Sequence, residues 1–160
     1  MSEIAEQLRR CMRHWPAGVT VVTTRFGAQQ HGMTVNSFTS VSLSPPVVSV
    51  TLANDTRTCS MVLNSGIIGI TILSEKQSDL SERFAGHIAE EDDRFLGLDV
   101  FALSTGAPLL VGGSAFLDCR VRATHPLDLS TLFLLDVITV QLTDQYRPLI
   151  YFNRGYHKLP

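Results

Sequence analysis

The sequence has few charged residues and no block of one sign. Its 160 residues include 13 Lys or Arg and 15 Asp or Glu, for a net charge of -2. Without a basic surplus, neither nucleic acid nor an anionic membrane surface is an expected partner. No apolar run approaches the roughly 20 residues that span a bilayer, and the stretch from Met1 to Arg10 lacks the apolar core of a signal peptide.

Cysteine is also scarce. Cys11, Cys59 and Cys119 lie far apart and form no CxxC pair, which argues against a disulfide framework and against a thiolate metal site. The five histidines show neither HxH nor HExxH spacing, so no metal site is expected. These features together predict a reducing, cytoplasmic compartment.

Several common catalytic motifs are missing. No GxGxxG opens a helix after a strand and no GxxxxGK[ST] is present, so neither a Rossmann dinucleotide fold nor a P-loop is indicated. The pair Gly112-Gly113 is better explained as a turn. A GxSxG nucleophile elbow is absent as well, so hydrolysis is not expected.

Three short helices are predicted. Ser2 can cap the first, whose apolar residues recur at helical spacing up to Trp15. Thr56 or Thr58 can cap the second, which ends at Asn64-Ser65-Gly66. Ser74 with Gln77 resembles a capping box for a third helix that runs through Phe84 and Ala85 to Gly86. The acidic segment 90–93 is expected to be a solvated loop.

Strands dominate the remainder. About seven are expected from β-branched and apolar runs bounded by turn residues, and they include Val19–Thr24, a strand from Gln30, Val47–Leu52, Ile67–Leu73, Thr131–Leu142 and Leu149–Phe152. Closing the sheet into a barrel would remove the exposed strand edges that so many short strands would otherwise leave. We therefore expect a mainly β fold, a barrel with peripheral helices, formed as a single domain over residues 1–160.

The clearest strand pattern lies between Ala115 and Ala123. Apolar residues occupy alternate positions there, while Phe116, Asp118, Arg120 and Arg122 occupy the positions between them. Strict alternation predicts a half-buried strand with the second set on the opposite face.

The stretch from His31 to Pro46, HGMTVNSFTSVSLSPP, is unusually rich in small hydroxyl and amide side chains. One interpretation is a strand that runs into a polar loop, because Ser and Thr are common in both. The alternative is a cradle in which main-chain N–H groups and hydroxyls converge on a phosphate or a cofactor ring.

The same stretch resembles the signature of the short-chain flavin reductases, which serve two-component monooxygenases. Two further segments, WPAGVTVVTT from Trp15 and PLIYFNRGY from Pro148, are similar to the opening strand and closing segment of that family. The three occur in the family's order and frame nearly the whole chain. The resemblance implies a split β-barrel that forms a homodimer and binds FMN or FAD.

The resemblance also implies which residues hold the flavin. The ring would be lined by Thr34, Val35, Asn36, Ser37, Phe38, Ser40 and Val41. The phosphate would meet the turn and helix start formed by Ala53, Asn54, Asp55, Thr56, Arg57, Thr58, Cys59 and Ser60. Arg83 would pair with phosphate beside Phe84; otherwise Arg83 is a surface residue and Phe84 belongs to the core.

Nicotinamide contacts in the family come from a Gly-Asp-His segment before a long strand and from the closing Gly-x-Tyr region. Asn153, Arg154, Gly155 and Tyr156 supply the closing region here. The other segment departs from the pattern, because Asp128-Leu129-Ser130 stands where Gly-Asp-His is expected. His125 could replace the missing histidine only if the loop folds back.

The leading functional hypothesis is therefore NADH- or NADPH-dependent reduction of FMN or FAD, with reduced flavin delivered to a separate monooxygenase. No catalytic acid or base is expected, because the cofactors supply the reactivity and the protein orients them. A flavin-binding protein without turnover, acting in storage or as a partner subunit, is the alternative. A heme-binding or pyridoxamine-phosphate-oxidase-like split barrel is a third possibility.

Overall fold

The computed structural model describes residues 2–86, 93–144 and 147–160. The helices are α1 (Glu3–Met12), α2 (Arg57–Ser65) and α3 (Ser78–Phe84). The strands are β1 (Ala17–Gly18), β2 (Thr20–Phe26), β3 (Gln29–Val35), β4 (Thr39–Leu43), β5 (Pro46–Ala53), β6 (Ile67–Ile72), β7 (Val100–Ala102), β8 (Pro108–Leu110), β9 (Ala115–Pro126), β10 (Ser130–Leu142), β11 (Ile150–Phe152) and β12 (Gly155–His157). Residues 90–92 of the predicted acidic loop lie outside the described residues.

The predicted caps of α1 and α2 are confirmed. Ser2 Oγ accepts a hydrogen bond from Ala5 N at 3.3 Å, and Thr56 Oγ1 accepts one from Cys59 N at 3.2 Å. Gly66 ends α2 in the left-handed region at φ 69°, where a side chain would be strained. None of the described helices is long and apolar enough to cross a membrane.

The third helix begins later than predicted. Gln77 Oε1 accepts a hydrogen bond from Ser74 N at 3.0 Å, which is one half of a capping box. Residues 74–77 nevertheless form a turn closed by Gln77 N and Ser74 O at 2.9 Å, and α3 starts only at Ser78. The predicted contact between Ser74 and Gln77 is present, but the predicted start of the helix was wrong by one turn.

A seven-stranded antiparallel sheet in the order β3-β2-β6-β9-β10-β5-β4 forms the body of the molecule. In a flat sheet its two edge strands would be separated by six strand spacings, or about 29 Å. The connection between β3 and β4 contains only residues 36–38, so the Cα atoms of Val35 and Thr39 are at most about 15 Å apart. The sheet must curl, and the predicted split β-barrel with peripheral helices is confirmed.

The main core fills this barrel. Val22, Val50, Ile70 and Phe133 are fully buried in one apolar cluster. A second cluster lies between the barrel and α3, and it contains Phe84 edge-to-face against Phe95 with ring centroids 5.2 Å apart. The two clusters fix β2, β3 and α3 relative to one another, and these elements carry the site described below.

The half-buried pattern predicted for β9 is wrong over its first half. Phe116 and Asp118 are buried although they lie on the face opposite the core. The β7–β8 hairpin and its turn cover that face: Phe101 packs edge-to-face on Phe116 at 4.8 Å, and Thr105 N donates to Asp118 Oδ2 at 2.6 Å. A short hairpin that is distant in sequence cannot be read from the alternation of β9 itself.

Candidate functional site

Four neighbouring clefts lie beside β3, and consecutive clefts share lining residues. We name them the hairpin, central, helix and arginine clefts, with volumes of about 220, 220, 140 and 400 Å³. The hairpin and central clefts share Asn36 and Tyr151. The central and helix clefts share Thr34 and Ala85. The helix and arginine clefts share His31 and Arg94. The clefts are therefore adjacent and follow residues 31–36 of the polar stretch, and we call this row of four clefts the groove.

The central cleft lies between the end of β3, α3 and β12. Thr34, Val35 and Asn36 line one side, and Ser81 and Tyr156 line the other. Thr34 Oγ1 donates to Ser81 O at 2.7 Å, and the hydroxyls of Ser81 and Tyr156 are 2.8 Å apart. Burial raises the pKa of Tyr156, so its phenol stays protonated at neutral pH. The cleft presents fixed hydroxyls beside apolar walls, which suits a flat heterocycle with polar edges.

The hairpin cleft extends this space toward the chain terminus. Asn153 and Arg154 form the turn between β11 and β12, with φ values of 46° and 67°. Both line the cleft together with Asn36. Asn36 thus contributes to the hairpin and central clefts alike, and a ligand that spans them would contact the closing segment and the polar stretch together.

The helix cleft is formed at the N-terminus of α2. Thr56 and Thr58 line it, and Thr56 Oγ1 caps the helix while donating to Ala53 O at 2.8 Å. The first amide groups of a helix have no partner within the helix, and their aligned dipoles attract anions. The first turn of α2 contains no acidic residue, so nothing in that turn opposes a bound phosphate.

His31 lies at the inner end of the helix cleft. It is 5% exposed, and its Nδ1 is 2.8 Å from Thr58 Oγ1. Its Nε2 is buried and has no hydrogen-bond partner in the described structure. Burial, with the Arg94 and Arg57 guanidinium groups, lowers the pKa of His31 to about 4. The imidazole is therefore neutral at pH 7 and has one unused polar atom.

Arg94 separates the helix cleft from the arginine cleft. It is also 5% exposed, and its Nη1 donates to Gly32 O at 3.0 Å and to Phe84 O at 3.4 Å. Its Nε is buried and lacks a partner among residues 2–86, 93–144 and 147–160. The guanidinium group thus covers the outer edge of β3 and keeps its positive charge beside His31.

The lowered pKa of His31 predicts a pH-dependent stability. Between pH 6.5 and about 4, His31 binds a proton in the unfolded chain but not in the folded chain. The free energy of unfolding should therefore fall as the pH is lowered through this window, by up to about 3 kcal/mol. Denaturant titrations at a series of pH values would measure the slope. His31→Asn should flatten it, whereas His125→Asn at an exposed position should not; equal slopes for all three proteins would contradict the prediction.

The structure brings together only part of the predicted flavin set. Thr34, Val35, Asn36, Thr56 and Thr58 line the central and helix clefts, and Arg57 lines the arginine cleft. Phe84 lines the helix cleft as well, although it is fully buried in the second core cluster. These residues come from three separate segments, and β3, α2 and α3 hold them around one groove.

Other members of the predicted set are engaged elsewhere. Cys59 belongs to the main core, and Ser40 and Val41 are exposed on edge strand β4. Ser37 Oγ donates to Thr51 O and accepts from Thr51 N, both at 3.0 Å. Arg83 Nη2 donates to Leu96 O at 2.6 Å. Within one copy of the chain, none of these side chains lines the four clefts.

Asn54 connects the predicted flavin turn to the predicted nicotinamide segment. Its Nδ2 donates to Leu127 O at 3.0 Å, and its Oδ1 accepts from Thr131 Oγ1 at 2.7 Å. Ser130 is paired directly with Ala53 across β10 and β5. Ser130 therefore lies beside the predicted flavin turn, whereas Tyr156 lines the central cleft. Among the described residues of one copy, Ser130 lines none of the four clefts.

His125 remains in strand β9, opposite Leu132. The loop between the strands is a tight turn in which Leu127 N donates to Ser130 O at 2.7 Å. Because paired residues share a face of the sheet, His125 and Ser130 project to the same side as diagonal neighbours about 7–8 Å apart. Either side chain can thus reach a ligand placed over this face.

The residues predicted from the sequence did not include His31 and Arg94, which line the helix and arginine clefts. His31 alternates with Met33 and Val35 along β3, and this period of two could have placed it on an inward face. Arg94 gives no such signal, because it follows a loop and its position depends on packing against Gly32 O and Phe84 O.

Comparison with known proteins identifies the family to which this fold belongs. Residues 12–160 match the family described as flavin reductase like domain. The chain therefore belongs to this family, and the resemblance seen in the sequence is confirmed.

Individual relatives match over most of their length. An NADH-dependent flavin reductase of a Rhodococcus species is 36% identical over 155 residues, which are 95% of this chain and 85% of that protein. The reductase component of 4-hydroxyphenylacetate 3-monooxygenase from Thermus thermophilus is 32% identical and is covered to 96%, as is this chain. The solved structure of an NADH:FAD oxidoreductase of Streptomyces globisporus superposes with a TM-score of 0.92 at 30% identity, covering 100% of this chain and 96% of that one.

Proposed function

We propose that this protein is an NAD(P)H:flavin oxidoreductase that reduces FMN or FAD and supplies the reduced flavin to a separate monooxygenase. The observation that carries the proposal is the groove, in which the central cleft of about 220 Å³ adjoins the helix cleft at the anion-attracting N-terminus of α2. That arrangement fits a ligand with a heterocycle at one end and a phosphate at the other. The relatives named above are flavin reductases or a reductase component of a monooxygenase.

Specific residues would hold the flavin in this groove. The hydroxyls of Thr34 and Tyr156, fixed through Ser81, border the ring site in the central cleft. Thr56, Thr58 and the first amides of α2 would receive the phosphate. The buried Nε2 of His31 and Nε of Arg94 have no other partner in the described residues, and a phosphate can accept a hydrogen bond from a guanidinium or imidazole N–H. The donor set therefore fits a flavin phosphate.

The protein would act by holding the nicotinamide and flavin rings against each other. Reduced nicotinamide supplies a hydride and the flavin ring accepts it, so the chemistry belongs to the cofactors. The task of the chain is to place both rings in contact and to limit access of water to them. Asn54 supports this task, because its hydrogen bonds to Leu127 and Thr131 hold the flavin turn against the segment that contains Ser130.

An anaerobic assay can distinguish flavin reduction from flavin binding without turnover. When NADH or NADPH is added anaerobically to the protein with excess FMN or FAD, the flavin absorbance should bleach within seconds. Tight flavin binding with no bleaching by either nucleotide would instead favour storage or a partner-subunit role.

A matched pair of variants tests the location of the ring. Asn36→Ala removes an amide shared by the central and hairpin clefts, and it should weaken flavin affinity about two- to tenfold, as expected for one hydrogen bond. Asn64→Ala removes an amide at the far end of α2, where Asn64 Nδ2 donates to Ser60 O at 2.8 Å. Equilibrium titration should show no effect of Asn64→Ala; equal effects of the two variants would place the ring elsewhere.

We also propose that the protein forms a symmetric homodimer in the cytoplasm. Leu43 and Leu129 are 89% and 84% exposed, and Leu43 ends edge strand β4, whose outer side pairs with no other strand among the described residues. A second copy could cover such surfaces and bring Ser130 of one chain toward the groove of the other. The three free cysteines fit a reducing compartment.

Sedimentation measures the proposed assembly directly. The expected mass is about twice the chain mass of 17.6 kDa. A monomer that still reduces flavin would contradict the dimer while leaving the proposed activity intact.

A further inference from the structure

The arginine cleft is larger than the helix cleft and opens directly beside it. The two share His31 and Arg94, and Arg25, Arg57 and Gln30 contribute to the arginine cleft. FMN would end with its phosphate at the N-terminus of α2 and would leave this second space unused. The proposed reductase activity therefore does not account for the arginine cleft.

Among the residues that the structure describes, the lining of the arginine cleft has a positive net charge. Arg25 Nη2 donates to Gln30 Oε1 at 3.2 Å, and Arg57 Nη2 donates to Gln29 Oε1 at 3.3 Å. Both partners are neutral amides, so neither guanidinium charge is compensated by them. Asp93 is the one carboxylate among the described lining residues, and its Oδ1 accepts a hydrogen bond from Phe95 N at 2.9 Å. Three guanidinium groups against one carboxylate attract an anion.

The junction between the two clefts contains two buried polar atoms without a partner among the described residues. His31 and Arg94 are both 5% exposed, yet His31 Nε2 and Arg94 Nε have no partner in the part of the chain that the structure describes. Buried polar atoms are nearly always hydrogen-bonded, and one left alone is costly. A phosphate in the helix cleft can meet these two atoms, and because His31 and Arg94 also line the arginine cleft, a second phosphate joined to the first would lie beside them in that cleft.

We propose that the arginine cleft holds the second phosphate and the adenosine of FAD, so that FAD is the preferred flavin over FMN. This inference rests on the proposed function, since it assumes that the first phosphate lies in the helix cleft. The pyrophosphate would pass His31 and Arg94, and its second phosphate would meet Arg25 and Arg57. The amides of Gln29 and Gln30 border the space left for the adenosine.

Equilibrium titration of the purified, flavin-free full chain with FAD and with FMN tests the proposal. The wild type should bind FAD about tenfold or more tightly than FMN, because FAD gains charge-assisted hydrogen bonds in the arginine cleft. Arg25→Gln should weaken FAD binding by a similar factor and leave FMN binding unchanged. Arg25 is exposed on β2, so the variant should fold. Arg120→Gln, an exposed arginine on β9 outside the four clefts, is the matched control.

Each other outcome has a defined meaning. Equal binding of FAD and FMN, with no effect of Arg25→Gln, would overturn the adenosine subsite and leave the flavin site in place. Failure of the wild type to bind either flavin would overturn the proposed function and this inference with it.

A final experiment determines whether FAD or the pyridine nucleotide occupies the arginine cleft, because both carry an adenosine diphosphate group. The Michaelis constant for NADH is measured with FMN as acceptor, so that no FAD is present. An increase in this constant in Arg25→Gln, with an unchanged preference between the two flavins, would assign the arginine cleft to the nucleotide and overturn the proposal. An unchanged Michaelis constant together with a lost FAD preference supports it.

Discussion

Gly69→Ala is expected to lower the free energy of unfolding by about 3 kcal/mol, the upper part of the usual range for overpacking a core. Gly69 lies in the middle of β6, where β8 crosses closely. A Cβ atom there would lie 2.7 Å from Thr23 Oγ1, 2.9 Å from Pro108 O and 3.0 Å from Leu109 Cδ2. Because Pro108 O is a backbone atom, the clash cannot be relieved by one side-chain rotation.

Denaturant unfolding would measure this loss as a lower midpoint at unchanged slope. Gly18→Ala is the matched control, since a Cβ atom at Gly18 meets nothing within 4 Å. Its effect should be under about 1 kcal/mol in either direction. If Gly69→Ala unfolds at the wild-type midpoint, the β7–β8 hairpin does not pack on β6 as described.

Ser130→His is expected to lower the Michaelis constant for NADH by about ten- to hundredfold while flavin affinity stays the same. A serine hydroxyl can donate one hydrogen bond, but it cannot supply the cationic partner that an imidazolium offers to a nucleotide phosphate. One hydrogen bond to a charged group is worth roughly 1.5 to 3 kcal/mol. Steady-state kinetics with varied NADH, combined with flavin titration, would measure both quantities.

His125→Ala is the companion variant. His125 and Ser130 project to the same side of the β9–β10 hairpin, so the two positions compete for the same role. We expect His125→Ala to change the Michaelis constant little. A large loss in His125→Ala with no gain in Ser130→His would show instead that His125 supplies the nucleotide contact.

Much of the fold could be predicted from local chemistry. The Ser2 and Thr56 caps, the Gly66 stop and the strand from Thr131 to Leu142 depend on nearby residues, and each is present in the structure. The burial of Phe116 could not be predicted, because the covering Phe101 belongs to a hairpin elsewhere in the chain. Strand β4 could not be predicted for a similar reason: its own residues are mostly polar, and it forms a strand because it pairs with the apolar strand β5.

The candidate site was only partly visible in the sequence. The family resemblance identified Thr34, Asn36 and Thr58, which do line the groove. It also included Cys59, whose side chain points into the core, because a motif records neighbours in sequence and not the direction of each side chain. Arg94 was missed since its place depends on carbonyl oxygens of two distant segments.

The short connection at residues 36–38 joins the two edge strands of the barrel and borders the central cleft through Asn36. A flavin bound there would stabilise the folded chain by mass action, by about 2.7 kcal/mol when free flavin is a hundred times its dissociation constant. The flavin-free protein would then open more often and be cleaved sooner by proteases. Inside a cell, the amount of this protein should consequently follow the flavin supply, and its abundance would decline when flavin synthesis is restricted.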